Sequence, residues 1–444
     1  MVGKPSYDRL LEDYDRLLEE NKDLKEENKF LKKLILELQE KIEEKFNPSF
    51  VKPNKKKRSR KMGRKSGFKG TSRKIPKEID EEIVLDLDKC PDCNSQLSEK
   101  AVEVKERYVE DIQPPKRHVK KYLIKRKWCI KCEKIVYKQP DDVLPNCRFG
   151  IFFMIFITYL KYGLRLPYNK ISEFLGKFYG IKVSEAGLSN SIQIMSGYFG
   201  LRYEELKKEL RKQKKVNIDE TGLRVNGKNH WLWDFIAENV ALFKISDSRG
   251  SKVPKRVLGK NFNGIIGSDF WSAYSPLNWK KQKCLVHLLR DIKKLKEKKK
   301  VTEEEKIFCR KLKRIIKYAV NLRKKNIPVE VGRWRKELLI KRVEKLSLKI
   351  YQSGDCRRLS ERIFRHKEEL FTFLDNPEID WNNNAAERGL RPSVVIRKIS
   401  GGNRSKKGTR AHEVHMTIME TCKLRRIDYT DYSMNYLQSQ LTKA

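Results

Sequence analysis

At Lys215 the hydrophobic period of the chain changes, and that change limits the fold more than any other feature. From Arg148 to Gln213 apolar residues recur at helical spacing. Beyond Lys215, Val216 to Asp219, Gly222 to Val225, His230 to Ile236 and Ala241 to Ile245 are short and rich in β-branched or aromatic residues. Asn226-Gly227 is placed as a hairpin turn between them. Lys255 to Leu258 suggests a helix, and Gly264 to Ser268 a further buried strand running into Asp269. Three antiparallel strands, a helix and another strand are the opening order of a ribonuclease-H-like domain. The predicted fold is therefore multidomain α+β.

That order gives two acids a meaning. Asp219 is expected to close the first strand and Asp269 the fourth, and strands that are neighbours let their terminal carboxylates meet. Taken alone, Lys215 to Thr221 offers either Asp219 or Glu220 as a ligand. Alternation along Val216, Ile218 and Glu220 puts Glu220 on the apolar face, opposite Asp219. A third acid lies far downstream in Asn382-Asn383-Asn384-Ala385-Ala386-Glu387-Arg388. There an Asn caps a helix, two alanines allow close approach to a sheet, and Glu387 projects from the first turns. With Asp269 and this helix as partners, Asp219 is the ligand and Glu220 a support. Three carboxylates suit two divalent ions, Mg²⁺ or Mn²⁺, in phosphodiester cleavage, with the ions about 3.5–4 Å apart.

Upstream, Leu10, Leu17, Leu24, Leu31 and Leu38 fall every seventh residue, with Tyr14, Asn21, Asn28, Ile35 and Ile42 at the companion positions. Leu at d with Ile and Asn at a favours a parallel two-stranded coiled coil, hence a homodimer or higher oligomer. Lys52 to Lys74 then holds twelve Lys or Arg and no acid, and reads as a basic flexible arm that could lie along phosphates. Cys90-Pro-Asp-Cys93 and Cys129-Ile-Lys-Cys132 follow, separated by strand-like Val102 to Val109 and His118 to Lys127. Two such knuckles make a zinc ribbon, with Cys90, Cys93, Cys129 and Cys132 on one structural Zn²⁺. Redox activity is the rival chemistry. Ser184 to Ser196 could be the reading helix of a helix-turn-helix, or part of a purely structural module. Leu288 to Phe373 reads as charged helices inserted between the strands and the last acid.

Charge names the partner. Lys and Arg number 101 against 59 Asp and Glu, a formal net charge of +42. Such an excess favours a polyanion, and double-stranded DNA above all. The longest apolar run, Phe149 to Leu160, stops at Lys161, well short of the roughly 20 residues of a membrane span. A charged start without a secretory pattern and an odd count of nine cysteines suit a reducing, prokaryotic cytoplasm and association with the nucleoid.

Taken together these motifs resemble the transposases of the insertion-sequence 66 type, in the same order along nearly the whole chain. The resemblance rests on the leucine repeat, Gly63-Arg-Lys-Ser-Gly67, the cysteine pairs, and Tyr159-Leu-Lys-Tyr162 with Arg165-Leu-Pro-Tyr168. It continues through Asp219-Glu220-Thr221, Ser268-Asp269 with Trp271 and Tyr274, and Cys284-Leu-Val-His-Leu-Leu-Arg290. Its most specific element is Asn383-Asn-Ala-Ala-Glu-Arg388 followed by Leu390-Arg-Pro392. The resemblance implies a transposase of the DDE type, with Asp219, Asp269 and Glu387 as metal-binding acids and with His287 and Arg388 near them. It also implies cleavage at element ends and strand transfer; a silent DNA-binding repressor or architectural protein derived from a transposase is the alternative. Asn94 and Glu133 stand where relatives often carry a glycine after the second cysteine.

The expected segmentation is a coiled coil over 1–46, a basic arm over 47–80, a zinc ribbon over 81–147 and a helical, candidate DNA-binding domain over 148–213. The catalytic domain follows in two parts, 214–287 and 377–444 with a C-terminal tail, around a helical insertion over 288–376.

Overall fold

The computed structural model describes residues 75–100, 103–110, 115–298, 300–325 and 327–441, together with scattered positions between 17 and 67. These fall into two compact units, Met1–Asp111 and Ile112–Ala444, each taken here by itself. In the first unit the described positions from 17 to 38 are helical, and Leu17, Leu24, Leu31 and Leu38 are exposed along them. Leu10, Tyr14, Ile42 and nearly all of the basic arm lie outside the described residues.

Each cysteine pair sits on a tight turn of its own unit. Asn94 donates its backbone N–H to the Cys90 carbonyl at 2.9 Å, and Cys90 N–H donates to Ser95 at 2.9 Å. In the second unit, β1 (Lys127–Cys129) and β2 (Lys134–Val136) pair antiparallel around the Cys129–Cys132 turn. Asn94 and Glu133 both take left-handed backbone, with φ of 61° and 48°. The glutamate thus adopts a conformation usually left to Gly or Asn. The expected strands differ, however. Among the described residues of Val102 to Val109 and His118 to Arg126 no strand forms. Val104, Val109, Val119 and Leu123 are each more than 70 % exposed. β-propensity reflects packing on a half-buried surface, and here there is no such surface to pack on.

The rest of the second unit is a mixed α+β fold. Helices α1 (Ile151–Thr158, continued by a π-turn to Gly163), α2 (Tyr168–Tyr179), α3 (Glu185–Tyr198) and α4 (Gly200–Arg211) lead into the sheet. Ser184 caps α3 by accepting from Gly187 N–H. The strands are β3 (Lys215–Val225), β4 (Lys228–Ile236), β5 (Ala241–Ser246), β6 (Ile265–Ser268) and β7 (Lys280–Lys283). Their order is β5-β4-β3-β6-β7, antiparallel through β5, β4 and β3 and parallel through β3, β6 and β7. Asn226 and Gly227 both have positive φ, as a two-residue hairpin turn demands.

One expectation is corrected here. The two segments Val216–Asp219 and Gly222–Val225 are a single strand, so Asp219 lies mid-strand rather than at its end. The polar run Asp-Glu-Thr-Gly looks like punctuation, yet β4 pairs with it without a break from Asn217↔Ile236 to Val225↔Lys228. What does end near Asp219 is the parallel pairing to β6, which covers only Lys215 to Asn217. Asp219 is therefore left open on that side by the neighbouring strand, not by its own.

Helix α5 (Lys252–Leu258) connects β5 to β6. After β7 come α6 (Leu285–Lys296), α7 (Glu303–Lys324), α8 (Val329–Ser347) and α9 (Gly354–Arg365). These helices pack on a second core that includes Leu288, Phe308, Leu312, Leu339, Val343 and Ile363 together with Ile265 of β6. α10 (Asn384–Ser400) packs on β3 and β4, and α11 (Lys406–Arg425) on β5, before α12 (Tyr429–Leu441). α1 to α4 share one continuous hydrophobic core with the sheet. The buried face of α3 packs on α11, where His415 Nε2 meets the Ile192 carbonyl at 2.9 Å. Among the described residues no helix is long and apolar enough to cross a membrane.

Candidate active site

Strand alternation decides which acid of the Asp219-Glu220 pair faces where. Val216, Ile218 and Glu220 point into the core, and Glu220 is buried with them. Its carboxylate is fully engaged, accepting from Arg249 Nε at 2.9 Å and from Tyr274 Oη at 2.5 Å. Arg249 is in turn stacked between two indoles, 3.7 Å from the Trp271 ring centre and 4.5 Å from that of Trp231. Asp219, on the opposite face, is half-buried and accepts only the neighbouring Glu220 N–H at 2.9 Å. Burial first, then the charges of Glu220, Asp269 and Glu387, push the Asp219 carboxyl up to about 7. The Asp219 carboxyl thus feels both other expected acids, but the ligand atoms of the three do not all come within 4.8 Å of one another.

Asp269 follows the last residue of β6 and accepts the Trp271 N–H at 2.9 Å. Beneath it lies Lys283, wholly buried at the end of β7, whose Nζ donates to the Asp269 carbonyl at 3.0 Å and to Ser268 Oγ at 3.3 Å. Burial lowers its ammonium to about 8.

Glu387 arrives on the first turn of α10, and the start of that helix is stitched to β3. An Asn is expected to cap the helix, and Asn382 Oδ1 accepts the Asn384 N–H at 3.0 Å, while Asn383 makes no side-chain cap bond. Its amide instead donates to the Ile218 carbonyl and accepts from Asn217 Nδ2, both at 2.8 Å, next to Asp219. A buried amide completes more hydrogen bonds across the sheet than at a helix end already open to neighbours. Ala386 is buried, and Gly389 brings the helix closer still: a Cβ there would lie 2.5 Å from Asp234 Oδ2.

Asp234 escapes notice in the sequence. It pairs with Asp219 across β3 and β4, accepts the Asp219 N–H on Oδ1 at 3.2 Å, and is fully buried. Its Oδ2 is buried without a hydrogen-bond partner among the described residues, and desolvation pushes the carboxyl far above the usual carboxylate range. The signal that could have found it is a lone acid inside the apolar run Trp231 to Ile236, since buried acids need a reason. Arg290 also went unassigned. It forms a fork on Glu387 at 3.1 and 3.4 Å from α6, whereas Arg388 is exposed and points to no carboxylate among the described residues. His287 lies beside Glu387 and Cys284, with potential ligand atoms of all three within 4.8 Å of one another.

A model of the family described as Transposase IS66 matches residues 147–411, more than half of the chain. The chain belongs to the IS66 transposase family. Two uncharacterized proteins of Sinorhizobium fredii are similar to this family member. Protein y4jO is 38 % identical over 78 residues, 18 % of this chain and 24 % of its own length. Protein y4qI is 24 % identical over 320 residues, 63 % of this chain and 57 % of its own length. The chain therefore spans under two thirds of either relative.

One surface outside the acid cluster also suits a polyanion. Between α7 and α8 lies a groove of about 340 Å³. Lys311, Arg314, Arg342, Lys345 and Lys349 surround it, and the Arg342 guanidinium stands over the Tyr318 ring at 5.5 Å. None of these five cations is in an ion pair among the described residues.

Proposed function

We propose that this protein is an active transposase of the DDE type, cleaving DNA at element ends and joining the freed 3′-hydroxyl to target DNA. The observation that carries the reading is the placement of Asp269, after β6, and Glu387, on the first turn of α10, near enough to Asp219 that their charges add to burial and to Glu220 in raising its carboxyl to about 7. Hard oxygen donors crowded with like charge fit Mg²⁺ or Mn²⁺, because a divalent cation relieves the repulsion that otherwise favours protonation. Asp219, Asp269 and Glu387 would hold the metal, which supplies an activated attacking oxygen and a stabilised leaving oxygen.

The chain's own residues would serve that chemistry by position. Asn383 sets the helix bearing Glu387 against β3 and Gly389 sets it against β4, while Lys283 fixes the backbone of Asp269. Arg290, half-exposed and already on Glu387, is suited to brace a phosphate beside Arg388, which the resemblance places near the site. The strand order supports a ribonuclease-H-like catalytic domain over 214–287 and 377–444, and the second core built around α6 to α9 supports an insertion over 288–376.

In this reading the leucine stripe dimerises the protein, and a monomer in sedimentation would remove that part. The zinc assignment of Cys90, Cys93, Cys129 and Cys132 is supported by the spacing and by the knuckle-like turn of each pair within its own unit. The deciding experiment uses purified protein, a labelled element-end duplex and Mg²⁺. Cleavage should fall by at least about a hundredfold in Asp269→Asn, as loss of a major catalytic charge does. Undiminished cleavage by that variant refutes the three-acid reading. Binding without cleavage by the unaltered protein favours the silent DNA-binding protein.

A further inference from the structure

The start of α6 carries chemistry that phosphodiester cleavage does not use. Cys284 precedes the first turn, and His287 lies three residues on, its N–H donating to the Cys284 carbonyl at 3.2 Å. The Cys-x-x-His spacing therefore turns a thiol and an imidazole to one side. Opposite them stands the first turn of α10, with Glu387. The ligand atoms of Cys284, His287 and Glu387 all lie within 4.8 Å of one another.

Two further observations mark this trio as a binding site. His287 Nδ1 is buried without a hydrogen-bond partner, an uncompensated desolvation that a ligand bond would satisfy. Cys284 is buried, yet its Sγ accepts the Asn383 N–H at 3.2 Å, an orienting contact of the kind that holds a metal-bound sulfur. Sulfur, imidazole and carboxylate form a soft-to-borderline donor set. Such a set suits Zn²⁺ and disfavours Mg²⁺, and three protein ligands leave a fourth position open. The Arg290 fork on Glu387 is no barrier, because Arg290 is half-exposed and can release the carboxylate to water.

We propose that Cys284, His287 and Glu387 form a separate site for a thiophilic divalent cation, Zn²⁺ in class, which takes Glu387 away from the three-acid cluster. Binding releases the thiol proton to solvent as the Zn–S bond forms, with no change of oxidation state. Only the consequence for cleavage rests on the proposed catalytic reading; the site itself does not. Zinc bound here would act as a brake on Mg²⁺-driven cleavage, by withdrawing one of its carboxylates.

The test uses the full-length protein, with Co²⁺ as a spectroscopic probe and Zn²⁺ for stoichiometry. All variants keep Cys90, Cys93, Cys129 and Cys132, so any metal held by them cancels in the comparison. Cys284→Ser and His287→Asn should each bind one ion fewer per chain than the unaltered protein. Cys284→Ser should also lose part of the thiolate-to-cobalt charge-transfer absorption. In cleavage assays the half-inhibitory Zn²⁺ concentration should rise in Cys284→Ser by at least the roughly tenfold that loss of even an outer-shell partner costs. Unchanged stoichiometry and unchanged charge transfer in both folded variants overturn the proposal. If Cys284→Ser fails to fold, His287→Asn decides by stoichiometry alone. Should cleavage be absent in every variant, the metal count still judges this site while the catalytic reading falls by itself.

Discussion

Gly389 shows how a single missing side chain can hold a site together. A Gly→Ala change inside a helix ordinarily stabilises by about 1 kcal/mol. Here the added Cβ would lie 2.5 Å from Asp234 Oδ2 and 2.8 Å from Ile236 Cδ1, both in the packed interface between α10 and the sheet. Overpacking wins, so Gly389→Ala should cost about 1–3 kcal/mol, measured by urea unfolding. Asp219 gives a prediction with the opposite character, visible only through pH. Its folded carboxyl titrates at about 7 against an ordinary 3.8. Across that window the native state keeps a proton that the unfolded chain has lost, so stability falls as pH rises. In EDTA, the unaltered protein should lose more stability between about pH 5 and about pH 8 than Asp219→Asn does. Buried Glu220 and Asp234 shift in the same direction and remain in both proteins, and since the Asp219 charge helps raise Asp234, the difference reads Asp219 together with its effect on Asp234. A parallel pair of profiles would refute the assignment.

Edge strands must satisfy or hide their outer N–H groups, and β5 does so through a helix. Thr421, Thr417 and Glu413 recur every fourth residue on one face of α11. They accept from Ala241, Phe243 and Ile245 N–H at 3.1, 2.9 and 2.8 Å. One helical turn rises about 5.4 Å and two strand residues about 6.6 Å, which is close enough for three consecutive matches. Thr417→Val keeps the shape and removes the acceptor. It should destabilise by about 1–3 kcal/mol, since the Phe243 N–H is left buried and unpaired. Hydrogen exchange at Phe243 should accelerate, and unchanged protection there would count against the helix as an edge cover. The same element-level logic explains the single long β3. Its partner β4 continues past Asp219, so pairing overrides the local polar run.

Over the whole molecule, the proposed function makes charge the term that would hold DNA. With a net charge of +42, affinity for any duplex should fall linearly in log–log form as salt rises. The groove between α7 and α8 singles out where part of that slope arises. Arg314→Ala with Arg342→Ala should weaken binding about equally across sequences and lower the salt slope by about 1 per lost phosphate contact. Fluorescence anisotropy over a salt series reads both quantities, and an unaltered slope would exclude the groove from the interface. Arg314 and Arg342 are both exposed, so the double variant should leave the fold intact.

The amino-acid sequence by itself determined the transposase family and the mixed α+β character, because both live in local pattern. Period changes at Lys215, the Asn-Gly turn and the Asn383 to Arg388 signature are all read within a few residues. The sequence also separated the two faces of Asp219 and Glu220, since alternation in a strand is a local rule. Only the tertiary structure decided which groups surround those acids. Asp234 lies in a stretch, Leu232 to Ile236, buried on both faces, so the alternation that would expose its role is erased. Arg290 meets Glu387, and Lys283 supports Asp269, across chain separations that no local period records. The expected strands at Val102 and His118 fail for the converse reason: propensity was present, but no surface came to bury it. Local chemistry chooses the elements, while register and packing choose the neighbours, and a site is made of neighbours.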